Sequence, residues 1–135
     1  MASFAPNLAP AGEIITVPVA SAGVTLTAGA ANTYGAYAQL DDGTLVTADM
    51  RLVSVALRTP SAAQVGKVQI VYDEAGTPVP ICEVDFEIAT DAGGYLNIPV
   101  PTGMIIPSGE TIGARVKTVA GGTTITASVG IQPTA

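Results

Sequence analysis

The stretch Gly122-Thr123-Thr124-Ile125-Thr126-Ala127-Ser128-Val129-Gly130-Ile131 alternates without a slip. Ile125, Ala127, Val129 and Ile131 fall on one side of an extended chain, and Thr124, Thr126 and Ser128 on the other. A period of two with one apolar side is the pattern of a strand half buried in a sheet. Just upstream, Glu110 to Val119 directs Ile112, Ala114 and Val116 toward a core, and Gly121-Gly122 supplies the turn between the two strands.

The same grammar runs through the rest of the chain. Val24 to Thr27 reads as a short strand, and Ala36 to Leu40 as another that stops at the turn signature Asp41-Asp42-Gly43. Met50 to Arg58 sets Leu52, Ser54 and Ala56 against Val53, Val55 and Leu57, so both faces are largely apolar and the strand belongs in the middle of a sheet. Val65 to Tyr72 and Val79 to Ile88 flank Asp73-Glu74-Ala75-Gly76, a hairpin loop whose glycine is expected to take positive φ. Tyr95 to Val100 sends Leu96, Ile98 and Val100 inward, with Pro99 and Pro101 marking an edge, and Gly103 to Gly109 reads as a loop. No segment has a helical period. About eight short strands separated by Gly, Pro and Asp predict an all-β fold, an antiparallel β-sandwich or barrel.

With 135 residues the chain is long enough for one domain with its own core and too short for two. Residues 1–20 form a Pro- and Ala-rich segment, read as an extended N-terminal arm; residues 21–135 form the sandwich. Pro6, Pro10 and Pro18 forbid a helix in the arm. Ile14, Ile15, Val17 and Val19 give it apolar contacts to make on a neighbouring surface.

Only 12% of the residues are charged, against roughly 25% in an ordinary soluble domain. The outer surface is therefore rich in Thr, Ser and Ala with apolar patches, a composition that predicts association into an oligomer or larger assembly. A net charge of −6, with Arg51, Arg58, Lys67, Arg115 and Lys117 the only cations, cannot furnish a phosphate-tracking patch, so nucleic acid is excluded as a direct partner. No run approaches the roughly 18 apolar residues of a membrane span. The N-terminus has no secretory pattern, and the single cysteine, Cys82, permits no internal disulfide, which together suit folding in a reducing cytoplasm.

Groups that do chemistry are scarce. With no histidine, neither a Ser-His nor a Cys-His nucleophile pair can be built, so the chain is not expected to be an enzyme and no cofactor is implied. Glu83, Asp85 and Glu87 line one face of their strand; they read as a solvated acidic ladder that meets the outward Arg115 and Lys117, on a neighbouring strand or across a subunit boundary, and fixes register there. Three acids in a row also suggest a metal as the alternative to a basic partner, whereas calcium on Asp41, Asp42 and Asp49 matches no calcium-loop spacing; no metal is assigned. Cys82 reads as a buried, inert thiol. Tyr34, Tyr37, Tyr72 and Tyr95 could make a sugar-stacking platform; the other reading, for Tyr34 and Tyr37, is a core edge or a subunit contact.

Several segments together carry a resemblance. Ala28 to Leu40, Leu52 to Leu57, the hairpin Val68 to Val84, Gly94-Tyr95-Leu96-Asn97-Ile98-Pro99-Val100-Pro101, and Ile106-Pro107-Ser108-Gly109-Glu110-Thr111-Ile112-Gly113-Ala114-Arg115-Val116 resemble small β-sandwich structural proteins of tailed bacteriophages. The resemblance covers about residues 25 to 131, nearly the whole domain. It implies a jelly-roll-like virion component, commonly trimeric. The expected function is that of a capsid decoration or cement protein on the outside of an assembled head. The expected partners are the major capsid protein and further copies of the chain, and the expected location is the capsid surface after synthesis in the host cytoplasm. Phe4, Pro6, Leu8, Pro10, Ile14, Ile15 and Val17 are the expected capsid contacts, and deleting residues 2 to 19 is expected to abolish attachment while leaving a folded domain. The alternatives are a head- or tail-fibre module, a carbohydrate-binding jelly roll that contacts the host, and a cytosolic scaffold; the lack of an internal repeat speaks against a fibre.

Overall fold

In a computed structural model, which describes residues 14–19, 22–89, 95–100 and 105–134, every regular element is a strand. They are β1 (Ile15–Val17), β2 (Val24–Thr27), β3 (Ala38–Asp41), β4 (Met50–Arg58), β5 (Gln64–Tyr72), β6 (Val79–Ile88), β7 (Tyr95–Pro99), β8 (Ile105–Ile106), β9 (Ile112–Thr118) and β10 (Thr124–Pro133). Two antiparallel sheets result. One has the order β1-β10-β4-β7, with β2 also on β10 and β8 also on β4; the other runs β3-β9-β5-β6.

Leaving aside the short β1 and β8, the chain folds as one long ribbon doubled on itself. First pairs with last (β2 with β10), second with second-last (β3 with β9), third with sixth (β4 with β7), and the middle two form a hairpin (β5 with β6). Rolling that ribbon so that β10 meets β4 and β9 meets β5 gives the two-sheet jelly roll.

The core lies between the sheets. Leu26, Leu52, Val55, Leu57, Ile125, Val129 and Ile131 from the first sheet face Val68, Ile70, Phe86, Ile112 and Val116 from the second, all buried. The inward set of β10 is the alternating set read from its sequence. Burial of this kind, at about 25 cal/mol per Å² of apolar surface, is what offsets the chain entropy of ordering so many strands.

β4 departs from strict alternation. Gly130 pairs with Ser54 and Ile131 with Leu52, so Val53 is an extra residue, a β-bulge. The bulge keeps Leu52, Val55 and Leu57 all in the core and leaves Ser54 and Ala56 outside, where unbroken alternation would have split them. The strand is central, with β10 on one side and β7 and β8 on the other.

Three turns differ in detail from the sequence reading. Positive φ in the β5–β6 hairpin falls on Asp73 (φ 58), whose carboxylate accepts the Thr77 N–H at 3.1 Å. Within the expected 103–109 loop, Ile105–Ile106 pairs with β4, and Ile106 is fully buried. The arm ends earlier than residue 20: Ile15–Val17 pairs with Ile131–Val129 of β10, and the Val17 side chain is 0% exposed. Val17 is a core residue because the edge of β10 beyond β2 would otherwise be open to solvent.

Candidate functional site

The outer face of the β3-β9-β5-β6 sheet carries the densest group of polar and aromatic side chains. The segment from Ala28 to Tyr37 runs along β9, tied to it by Asn32 N–H to Thr118 O (2.8 Å) and Gly35 N–H to Val116 O (3.0 Å). That tether holds the rings of Tyr34 and Tyr37 over the outward positions of β9. The Arg115 guanidinium lies 4.3 Å from the Tyr34 ring centre and 4.5 Å from that of Tyr37, and Lys117 Nζ lies 4.9 Å from Tyr34. Such stacks contribute roughly 0.5–1 kcal/mol each at exposed sites.

The network continues across the sheet. Arg115 Nε donates to Gln69 Oε1 on β5 at 2.7 Å, and the Tyr34 hydroxyl donates to Glu83 Oε2 on β6. Lys67, also on β5, lies 3.3 Å from Asp85 and 3.9 Å from Glu83. Burial, then the hydrogen bond to Glu83 and its negative charge, push the Tyr34 phenol above the usual tyrosine range, so it stays a neutral donor.

Within the chain the acidic and basic ladders are therefore not on neighbouring strands. β5 stands between β6 and β9, and its Lys67 takes the carboxylates of Glu83 and Asp85. Arg115 reaches Glu83 indirectly, through Gln69 and through Tyr34, Lys117 turns to Tyr34, and Glu87 has no ion pair among the described residues. Lys67 and Gln69 were the missing members. The hairpin register would have revealed them, but Cys82 pairs with Ile70 and Pro80 with Val71, a bulge at Ile81 that counting back from the turn cannot show. With Asp85 at 81% exposure, these ion pairs are screened and add little stability.

Of the other candidates, Asp41 accepts the Gly43 and Leu45 N–H groups, and Asp42 accepts the Thr44 N–H and hydroxyl, which hold its carboxyl below the usual range. Asp49 accepts from Ser108 N–H. Asp41 and Asp42 are engaged in their own turn, and Asp49 ties that region to the loop before β9. Cys82 is half buried against the core, and burial pushes its thiol up to about 11, which disfavours the nucleophilic thiolate. Tyr95 is on the other sheet, under Arg58 at 4.9 Å, so Tyr34, Tyr37 and Tyr95 form no common platform. Of the expected arm contacts, Phe4, Pro6, Leu8 and Pro10 lie outside the described residues; Ile14 is exposed, Ile15 half-buried and Val17 buried in the chain's own core.

The opposite outer face, on the β1-β10-β4-β7 sheet, is built differently. Its centre is Ser54, Ala56, Ser128 and Gly130, a floor of small side chains. A Cβ on Gly130 would stand 2.6 Å from Ser54 Oγ and 3.2 Å from Ile14 Cγ2, which places Ile14 over this floor. The rim holds Arg51 beside exposed Ile105, and Arg58 beside exposed Tyr95. No described outward position of this sheet carries a carboxylate. Both arginines have a buried Nε with no hydrogen-bond partner.

No family model matches the chain. No curated protein matches it either. Among solved structures, it is similar to the Drosophila NLP-core, described in terms of pentamer formation and histone binding, at 14% identity and a TM-score of 0.39, over 90% of this chain and 97% of that one. A likeness at that level carries no argument for this chain.

Proposed function

We propose that this chain is a virion structural protein of a tailed phage, a decoration protein that binds the outside of the assembled head as a homo-oligomer and strengthens it. The observation that carries the reading is the outer face of the β1-β10-β4-β7 sheet, a floor of small residues under Ile14, rimmed by Tyr95 and Ile105 beside Arg58 and Arg51, with no carboxylate at any described outward position. A face of small, apolar and arginine side chains suits close contact with other protein. The jelly roll and the phage-like strand and loop segments support the same reading.

The action is mechanical. A protein that binds the assembled shell better than its separated subunits stabilises the shell by mass action, with the major capsid protein as partner. The grip is assigned to residues 1–13, because β1 is part of the sandwich. A carbohydrate-binding role has less support, since the chain's own Arg115 and Lys117 stack on the rings of Tyr34 and Tyr37 and Tyr95 lies on the opposite sheet.

Undecorated heads incubated with the purified chain test this. The full chain should sediment with the heads and saturate, and the variant lacking residues 2–13 should remain in the supernatant. Full occupancy by that variant would remove the grip from these residues, and no binding by the full chain would remove the decoration reading.

A further inference from the structure

We propose that the Arg58–Tyr95 corner of one copy docks against the Val65–Glu87 corner of a second copy. This deepens the homo-oligomer of the preceding reading by naming the two surfaces that meet.

The first surface is cationic and apolar. Arg58 and Tyr95 are paired across the β4–β7 ladder and stack at 4.9 Å, with Tyr95 half exposed. The Arg58 Nε is buried without a partner, and no ion pair engages the guanidinium among the described residues. Arg and Tyr are the residue types that anchor protein interfaces, and a guanidinium with no ion pair of its own gains most from a carboxylate supplied by a partner.

The second surface is complementary. A shallow cleft of about 210 Å³ is lined by Gln64, Val65, Glu87 and Ile88 at the end of β5 and β6. Val65 is half exposed there, and Glu87 has no ion pair among the described residues. The cleft thus offers an apolar wall for a tyrosine ring and an unpaired carboxylate for a guanidinium. β6 is also the outer strand of its sheet, so nothing of the same sheet covers this side.

The two surfaces sit at the same end of the sandwich, since only residues 59–63 separate the end of β4 from the start of β5, but they belong to opposite sheets. Contact between them is made either twice across a two-fold axis, each copy giving its Arg58–Tyr95 corner to the other's Val65–Glu87 corner, or once per step in a heterologous arrangement. A heterologous contact between them repeats from copy to copy, and closes into a ring when the rotation permits.

Charge exchange tests the docking. The oligomer mass, read by light scattering on a sizing column, should fall toward monomer for Arg58→Glu and for Glu87→Arg, each weakening assembly at least about tenfold, and the double exchange should restore it. Glu87 is exposed, so its variant should keep the circular dichroism of the parent even if the Arg58 variant does not fold. A single variant that assembles like the parent, or a folded double exchange that stays monomeric, overturns the proposal. So does a monomeric parent in which residues 2–13 protect the Tyr95 corner, because that would give the corner to the chain's own N-terminal segment. A swap-sensitive oligomer that ignores phage heads leaves the docking standing and removes the capsid reading; head binding by a swap-insensitive oligomer does the reverse.

Discussion

Val17 pairs with Val129 across the β1–β10 ladder, and both side chains are closed to solvent. The relationship sets the border between what belongs to the sandwich and what precedes it. Deletion of residues 2–13 spares this pairing and should lower the urea midpoint less than deletion of residues 2–19 does. Deletion of residues 2–19 removes β1 and uncovers Val129, and should lower stability by several kcal/mol; Val17→Ala alone should cost about 2 kcal/mol. Equal midpoints for the two deletions would show that β1 contributes nothing to the fold.

Arg115 fastens Tyr34 and Tyr37 to Gln69. Arg115→Ala should cost about 2–4 kcal/mol in a denaturant titration, from the loss of two stacks and one charge-assisted hydrogen bond. Arg115→Lys should recover only part of it, because an ammonium cannot lie flat between two rings. Full recovery by lysine would reduce the contact to simple charge.

Gly121 and Gly122 both have positive φ, 77° and 68°, in the β9–β10 turn. Their surroundings differ. A Cβ on Gly121 would stand 2.5 Å from Ala31 N, and one on Gly122 meets nothing within 4 Å. Gly122→Ala should cost only the roughly 1–2 kcal/mol of a left-handed non-glycine residue. Gly121→Ala should cost distinctly more, since backbone must move as well. Equal melting temperatures would contradict this.

Much of this fold is legible in sequence because alternation is local. All eight strands of the jelly roll, and the inward set of β10, follow from it. What alternation does not contain is any insertion that resets it. The bulges at Val53 and Ile81 each add one residue, and each decides which face the following residues take. Lys67 is a partner of Asp85 only because the Ile81 bulge brings Glu83 and Asp85 to the outer face of β5. β1 and β8 are too short to show a period, and their pairing with distant strands depends on the roll of the whole ribbon. The Arg115 stack depends on a 28–37 segment with no repeating pattern of its own.

Cys82 makes the stability depend on alkaline pH. Burial raises its thiol from 9.0 to about 11, so the folded state holds the proton more firmly than the unfolded chain. The sign follows from linkage: the contribution is complete below pH 9 and is lost as pH rises toward 11. Urea midpoints of the parent should fall across that window more steeply than those of Cys82→Ala. Parallel curves would place the thiol in contact with solvent.

The central claim is most directly tested by the copy number of this chain in purified virus particles from its source, measured by quantitative mass spectrometry against the major capsid protein. The account predicts a number that matches the lattice sites of the shell. A handful of copies per particle, or none, would contradict it.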